Sequence, residues 1–236
     1  MRWFKVLAAV AFAMLGLTIY LALEYAPIAQ DAAGGLSQKI FYIHVPSAYV
    51  MYLGVTACVM GSLGYLIQRR PGWDALAQAG GELAVLFATL VLITGPLWAR
   101  KAWGTYWAWD PRLTTTLLGM LIFVAYLVLH GSAGAGEAEK RFSSALAVLG
   151  ACVMPVIHFS VRLWRGQHPT VISSAGGGLA PEMGKTLGVS FAAFTLVAVA
   201  LLWMRANLAL GEARLEAMKT EAVSLGMLED DDAEGA

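Results

Sequence analysis

Four of the chain's eight tryptophans lie between positions 98 and 109, and three of them fall within the segment Trp103–Asp110, together with Tyr106. The segment separates two long apolar runs, so we expect a short loop at a membrane surface. Tryptophan is enriched at the headgroup level of bilayers. Flat indole rings can also cover a flat apolar ligand. The loop is therefore either an interfacial belt or a platform for a ligand.

Two histidines could supply metal chemistry beside this loop. His44 directly precedes the second apolar run and His168 lies in the loop between the last two runs, both at the membrane face that the tryptophan loop occupies. A neutral imidazole is a common axial ligand of heme iron, and tryptophan faces can cover a porphyrin. Arg or Lys side chains could pair with the propionates through charge-assisted hydrogen bonds. A single interfacial histidine can equally be a hydrated polar group, so spacing alone leaves both interpretations open.

The other polar residues in or beside apolar runs have structural interpretations. His130 ends a run, where it would answer the last carbonyls of a helix. His158, close to Pro155, could satisfy freed backbone carbonyls and is a reserve ligand candidate. Asp110 is well placed to cap the helix that follows it. Glu82 within a helix is costly in a membrane, so we expect a partner inside the bundle or a polar subunit contact.

Composition identifies an integral membrane protein. Of 236 residues, 58% are apolar and 14% are charged, against about 25% charged in soluble domains. The net charge of zero gives no electrostatic case for nucleic acid. Neither cysteine belongs to a C-x-x-C or C-x-x-C-H pattern, so thiol redox work and covalent heme attachment are not expected. The sequence contains no P-loop and no nucleophile–base or metal-hydrolase pattern, so we do not expect an enzyme.

Six apolar runs approach the roughly 17–25 residues that a spanning helix needs. They predict an all-α membrane protein, a bundle of six transmembrane helices with short loops, at about 6–23, 45–67, 75–98, 113–129, 143–161 and 185–204. The first run is longer than a signal-peptide core and lacks a clear cleavage site, so we expect an uncleaved helix. Residues 1–205 would form the transmembrane domain. Residues 206–236 would form a cytoplasmic tail, a short amphipathic helix followed by an acidic, disordered end.

An even number of helices places both termini on one side of the membrane. His44, His168 and the tryptophan loop then share the opposite, outer face, whereas His130 lies on the side of the termini. Nine Lys and Arg residues on the inner side against seven on the outer side favour a cytoplasmic N-terminus slightly. The outer basic residues could meet an anionic ligand, or could simply snorkel from helix ends.

At the loop, the sequence resembles the cytochrome c assembly family of heme-handling membrane proteins. Trp103–Asp110 follows that family's pattern W-G-x-x-W-x-W-D. Two more stretches resemble its heme exporter protein C branch, also called cytochrome c maturation protein C: 41–46, FYIHVP, and 159–164, FSVRLW, with His168 four residues later. Leu163 stands where that branch has the first of two adjacent tryptophans. The resemblance covers about residues 1–205, and the length fits this branch rather than its longer synthetase-like relative.

The resemblance implies a site and a set of partners. His44 and His168 would be axial iron ligands of a heme b, bound at the periplasmic face of a bacterial inner membrane. The heme would also contact Trp103, Gly104, Tyr106, Trp107, Trp109, Asp110, Arg112 and Trp164. The protein would deliver heme to a membrane-anchored periplasmic heme chaperone, cytochrome c maturation protein E. It would assemble with the ATPase and membrane subunits of an ABC transporter, maturation proteins A and B, and with a small single-helix subunit, maturation protein D.

Two other functions fit the composition. A b-type-heme electron-transfer protein, such as a quinone oxidoreductase subunit, commonly has histidine pairs within helices, often at two depths. A small-molecule permease would show broken helices around a site at the midplane, for which Pro155 is weak support. Within the aromatic region, Trp98 is the residue that we assign first to contact with lipid.

Overall fold

The computed structural model describes residues 2–30, 34–131, 136–164, 168 and 178–227. Within these residues the α-helices are α1 (Arg2–Tyr20), α2 (Phe41–Gln68), α3 (Pro71–Trp103), α4 (Pro111–His130), α5 (Glu137–Gly150), α6 (Val153–Trp164) and α7 (Pro181–Ser224). A π-helix, Leu21–Tyr25, extends α1, and a 3₁₀ helix, Gly35–Ile40, leads into α2. Six helical segments are long and apolar enough to span a membrane, with α5 and most of α6 forming one of them. The predicted six-helix membrane fold is confirmed.

The hairpin of α2 and α3 is the closest helix pair of the bundle. A Cβ added at Gly61 would lie 2.3 Å from the backbone N of Ala77, and one added at Gly80 would lie 2.3 Å from the backbone N of Cys58. The two backbones therefore touch, as small residues permit between membrane helices. The turn between them places Arg69 at φ 55° and Pro71 in the first turn of α3. This packing fixes the beginning of α2 against the end of α3.

Both helices of this hairpin are longer than the apolar runs predicted. Helix α2 begins at Phe41, so His44 lies inside its first turn and not before it. Helix α3 continues through the predicted loop residues to Trp103 and ends at Gly104, whose φ of 77° suits glycine. The predictions failed here because charged and aromatic residues at a membrane surface end an apolar run without ending a helix.

The predicted fifth helix consists of two segments. A turn at Ala151 and Cys152 separates α5 from α6. Pro155 is the third residue of α6, where its missing N–H needs no partner within the helix. The N–H of Cys152 instead donates to the carbonyl of Leu149 at 3.1 Å, and the N–H of Met154 to that of Ala151 at 3.0 Å. The proline thus breaks the helix one turn before its own position.

Helix α7 crosses the position where we predicted the transmembrane domain to end. It runs without interruption to Ser224, and not as a span to 204 followed by a separate amphipathic helix. The acidic end of the tail, with Glu229 to Asp232, which we predicted to be disordered, lies outside the described residues.

The outer cation Lys39 has a structural role. Its Nζ donates to three carbonyls at the end of the first span, those of Ala22 (2.6 Å), Leu23 (2.8 Å) and Ala26 (3.0 Å). These three carbonyls accept all three hydrogens of the ammonium group. Lys39 therefore does not support the interpretation that outer cations meet an anionic ligand.

Polar side chains join helices away from the aromatic loop. The buried His130 makes a hydrogen bond from Nε2 to Oδ1 of Asp74 at 2.8 Å, and Nζ of Lys140 lies 3.0 Å from Oδ2 of the same carboxylate. His130 thus joins α4 to α3, and the prediction that it answers the last carbonyls was wrong. Glu82 accepts from Nη2 of Arg205 on α7 at 2.6 Å, so the expected partner inside the bundle is confirmed.

Candidate functional site

A cavity of about 420 Å³ opens at the end of the bundle where α2, α4 and α7 begin and α3 and α6 end. Sites for small molecules and cofactors have volumes of roughly 300–1,000 Å³. Its polar and aromatic lining includes His44, Trp98, Trp103, Arg112, His158 and His168, on a mainly apolar wall. Helix parity predicted that His44, His168 and the loop share one face, and the cavity confirms this.

His44, which belongs to α2, is held in place by residues of α3, the other helix of the hairpin. Its Nδ1 lies 2.8 Å from Oγ1 of Thr94 on α3. A Cβ on the neighbouring Gly95 would lie 3.2 Å from Cε1 of the same ring, so glycine leaves the space that the imidazole fills. With Nδ1 engaged, Nε2 is the ring nitrogen available to a ligand in the cavity.

His168 stands beside His44 although 124 positions separate them in the chain. The two ring centroids are 6.3 Å apart and the ring planes are inclined by 38°. The Nδ1 atom of His168 is buried and has no hydrogen-bond partner among the described residues. Burial, together with the nearby charge of Arg112, lowers the pKa of His168 to about 4. At neutral pH the imidazole is therefore uncharged and can donate a lone pair to a metal.

The spacing of the two rings fits a metal held between them. Nitrogen–metal bonds of about 2 Å on each side require imidazole centroids roughly 6 Å apart, and the measured separation is 6.3 Å. A buried polar nitrogen without a partner is costly unless something pairs with it. The donor set, the cavity volume and the orphaned nitrogen of His168 together fit an iron porphyrin.

Two tryptophans line the cavity on the side of His168. Trp103 packs edge-to-face against His168 at 6.2 Å and against Trp98 at 5.6 Å between ring centroids. Nε1 of Trp98 donates to Oε1 of the buried Gln38 at 3.2 Å. Trp98 therefore belongs to the cavity, and its assignment to lipid contact was wrong. Because α3 is continuous to Trp103, the indoles of Trp98 and Trp103 both face the cavity.

Arg112 supplies a cation at the cavity. It lies in the first turn of α4, and its Nη2 donates to the backbone carbonyl of His158 at 3.1 Å. A guanidinium can bind a carboxylate in a bidentate manner, which a lysine cannot do. His158 also lines the cavity.

Two of the predicted site residues shape the ends of helices. Gly104 ends α3 in the left-handed region, and Asp110 caps α4, since its Oδ1 accepts from the backbone N–H of Arg112 at 2.9 Å. The expected cap is confirmed. Neither residue lines the cavity. Their contribution is to fix where the aromatic loop begins and ends.

The remaining predicted aromatic residues do not line the cavity. Tyr106 lies under the guanidinium of Arg100 at 5.6 Å. Trp107 and Trp109 pack edge-to-face at 5.7 Å, and Trp109 is 77% exposed. Trp164 is also exposed. Direct contact of these side chains with a ligand stays a prediction.

Sequence reasoning missed Gln38, Thr94 and Gly95 at the site. Gln38 was part of a polar loop, and its pairing with Trp98 depends on the 3₁₀ helix that brings the two together. Thr94 and Gly95 lie inside an apolar run, where threonine and glycine are ordinary in membrane helices. No pattern in the chain distinguishes them; their importance follows from the register between α2 and α3.

The fold and the cavity define a polytopic membrane protein whose helix bundle holds, at one end, a mainly apolar cavity lined by histidines and tryptophans. The chain belongs to the family of heme exporter protein C, which it matches over residues 1–221. A heme exporter protein C of Bradyrhizobium diazoefficiens is 34% identical over 197 residues, which cover 83% of this chain and 74% of that protein. The heme exporter protein C of Escherichia coli K12 is 30% identical over 176 residues, 74% and 71% of the two chains. A ccmC-like mitochondrial protein of Marchantia polymorpha, named for cytochrome c biosynthesis, is 30% identical over 194 residues, 82% of each chain.

Proposed function

We propose that this protein binds heme b as cargo between His44 and His168 and delivers it to a periplasmic heme chaperone for cytochrome c maturation. One observation carries the proposal: the two imidazole rings lie 6.3 Å apart in one cavity. Membership of the heme exporter protein C family supports the same cargo.

Four residues that line the cavity would hold the cargo. His44 and His168 supply the two nitrogen ligands, and Trp103 covers the ring beside His168. Arg112 pairs with a propionate. Two neutral imidazoles add no charge at the iron, and the guanidinium of Arg112 would compensate one of the two propionates.

The cavity faces the periplasm in this proposal, and both termini are cytoplasmic. The exposed rings of Tyr106 and Trp109 lie in the loop that follows Trp103. A chaperone docked over this loop would meet the heme at its open edge. The protein is a carrier in this account, because hand-off exchanges iron ligands and breaks no other bond of the cargo.

The energy for a transport cycle would come from partners. The sequence contains no P-loop match, so ATP hydrolysis requires a separate ATPase subunit. We propose an assembly with the ATPase and membrane subunits of an ABC transporter and with a small single-helix subunit.

Heme binding and transfer by the purified full-length protein test this function. We expect His44→Ala and His168→Ala each to lower heme affinity at least about tenfold. The double variant should neither hold heme nor load the chaperone. Added imidazole should restore heme binding to the single variant His44→Gly, and this rescue would show that loss of the His44 side chain leaves the protein folded. Unchanged heme content and chaperone loading in the double variant would contradict the proposal.

The same preparations separate the two other functions. Reduction of a bound heme by quinol would indicate an electron-transfer subunit. Ligand-coupled transport by the isolated chain without a heme spectrum would indicate a permease.

A further inference from the structure

We infer that Thr94 is a positioning residue, which fixes the tautomer and orientation of His44 so that Nε2 faces the iron. The inference rests on the proposed function for its iron. The contact itself is independent of any ligand, because the two side chains meet across the α2–α3 hairpin at 2.8 Å.

The direction of this hydrogen bond follows from counting hydrogens. A threonine hydroxyl has one hydrogen to donate and two lone pairs. Oγ1 of Thr94 lies 2.6 Å from the carbonyl oxygen of Leu90, with a longer contact of 3.5 Å to that of Val91. A carbonyl can only accept, so the hydroxyl donates within its own helix. Toward His44 the hydroxyl therefore accepts, and the hydrogen of that bond belongs to Nδ1 of the imidazole.

This assignment determines the chemistry of the other ring nitrogen. A neutral imidazole with its hydrogen on Nδ1 carries its free lone pair on Nε2. Histidines that bind metals almost always donate the second N–H to a neighbouring acceptor, which fixes the ring and raises its basicity. Thr94 supplies that acceptor from a continuous helix and not from a loop.

The next residue restricts the ring from a second direction. A Cβ at Gly95 would lie 3.2 Å from Cε1 of His44 and 3.7 Å from Cδ2 of Leu113. The imidazole therefore lies on the bare backbone of Gly95 while Thr94 holds its Nδ1. One turn of α3 sets both the position and the rotation of the ring.

Three full-length variants test the inference by heme titration. Thr94→Val keeps the side-chain shape and removes the acceptor, and it should weaken heme binding about 10–100-fold. Thr94→Ser keeps the hydroxyl and should bind within about threefold of the wild type. Thr89→Val is the matched control. Thr89 also donates to the carbonyl four residues earlier on α3, at 2.8 Å, but among the described residues it makes no hydrogen bond to a histidine. Its affinity should equal that of the wild type.

A second readout needs no heme. Nitrogen-15 NMR of histidine-labelled, heme-free protein distinguishes the two neutral tautomers, and the His44→Ala spectrum identifies the His44 signals. We expect a single Nδ1–H tautomer in the wild type and in Thr94→Ser. In Thr94→Val the His44 signals should shift toward a mixture of both tautomers.

The outcomes separate this inference from the proposed function. If His44→Ala binds heme like the wild type, the proposed function fails, and the NMR spectra alone still decide whether Thr94 fixes the tautomer. If His44→Ala loses heme but Thr94→Val retains both wild-type affinity and the Nδ1–H signal, the positioning role is wrong. An equal loss of affinity in Thr89→Val and Thr94→Val would also overturn it, because the effect would then belong to the helix.

Discussion

At the scale of single residues, the aromatic loop divides into two functional parts. Trp103 turns into the cavity and contacts His168, together with Trp98 from the same helix. Trp109 is exposed at 77%, where it can meet a partner or headgroups. The choice between interfacial belt and ligand platform therefore has a different answer for each indole. Rings on α3 form the wall, and rings after Gly104 face outward or pack on one another.

Gly34 controls one of these rings, which gives a test. It has φ of 101°, and an added Cβ would lie 3.1 Å from Nε1 of Trp98. Gly34→Ala should cost about 1–3 kcal/mol because the backbone conformation suits only glycine. The bond from Trp98 to Gln38 should weaken, with reduced heme affinity. Thermal denaturation in detergent and heme titration measure both effects.

Gly16→Ala is the control for this variant. A Cβ at Gly16, within α1, would meet nothing within 4 Å. The melting temperature should stay the same or rise slightly, because alanine favours helix over glycine. Equal melting temperatures for Gly34→Ala and Gly16→Ala would refute the role given to Gly34.

At the scale of elements, the α2–α3 hairpin acts as the rigid frame of the site. His44 belongs to one helix and Thr94 to the other, so their contact at 2.8 Å requires the register that the glycines permit. Gly61→Ala should push the helices apart, because its Cβ would lie 2.3 Å from backbone and not from a flexible side chain. We expect a loss of stability of about 1–3 kcal/mol and weaker heme binding.

Gly188→Ala on α7 provides the comparison for Gly61→Ala, since a Cβ there meets nothing within 4 Å. Thermal stability and heme affinity of both variants should be measured in the same detergent. The frame would not depend on the glycine contact if Gly61→Ala matched Gly188→Ala in both measurements.

The carboxylate of Asp74 links three helices at the opposite end of the hairpin. It meets His130 of α4 at 2.8 Å and Lys140 of α5 at 3.0 Å. Asp74→Asn should destabilise the protein by about 1–3 kcal/mol, because the buried imidazole of His130 and the partly buried ammonium group of Lys140 lose a charged acceptor. Glu137→Gln, which removes an exposed ion pair with Arg69 at 3.5 Å, should cost at most about 1 kcal/mol. Melting temperatures measure both, and the reverse order would contradict this assignment.

Apolar length predicted the existence and order of the spans, but not their ends. A run of apolar residues reports the hydrocarbon core, whereas α2, α3 and α7 continue past it into the interface. The beginning of α4 was predicted correctly, because a capping side chain followed by proline, here Asp110 and Pro111, indicates a helix start from the local sequence alone. The break at Ala151 was missed because its cause, Pro155, acts one turn upstream.

At the scale of the whole molecule, alternation of the spans gathers the site at one membrane face. His44, His158 and His168 line a single cavity, while His130 lies at the other end of α4 beside Asp74. Among the described residues, paired histidines therefore occur at one depth. This arrangement supports loading and release at one face more than electron transfer across the bilayer.

The alternation of the spans was sufficient to predict that His44, His168 and the tryptophan loop share one membrane face. The supporting contacts could not be predicted in this way. Thr94, Gly95 and Gln38 matter only because packed helices bring them to a histidine or an indole. Residues that donate to a ligand have recognisable chemistry, whereas residues that hold those donors in place are set by three-dimensional register.

The direction of insertion gives a test for the whole molecule. Cys58 and Cys152 are first replaced by serine, and one cysteine is then introduced at a time, as Lys101→Cys or Glu139→Cys. The predicted topology places these two positions on opposite sides of the membrane, and both side chains are exposed in the structure. A membrane-impermeant maleimide added to intact spheroplasts should label the first and spare the second. Labelling of the second should require disruption of the membrane. The reversed pattern would place the cavity in the cytoplasm.

The ligand set of the bound iron tests the central claim most directly. Electron paramagnetic resonance of the purified, heme-loaded protein should show a low-spin ferric center with two imidazole ligands. His44→Ala and His168→Ala should each convert it to a high-spin or mixed-ligand signal. If both single variants retain the wild-type low-spin signal at full heme occupancy, iron is not held between these two histidines, and the account is wrong.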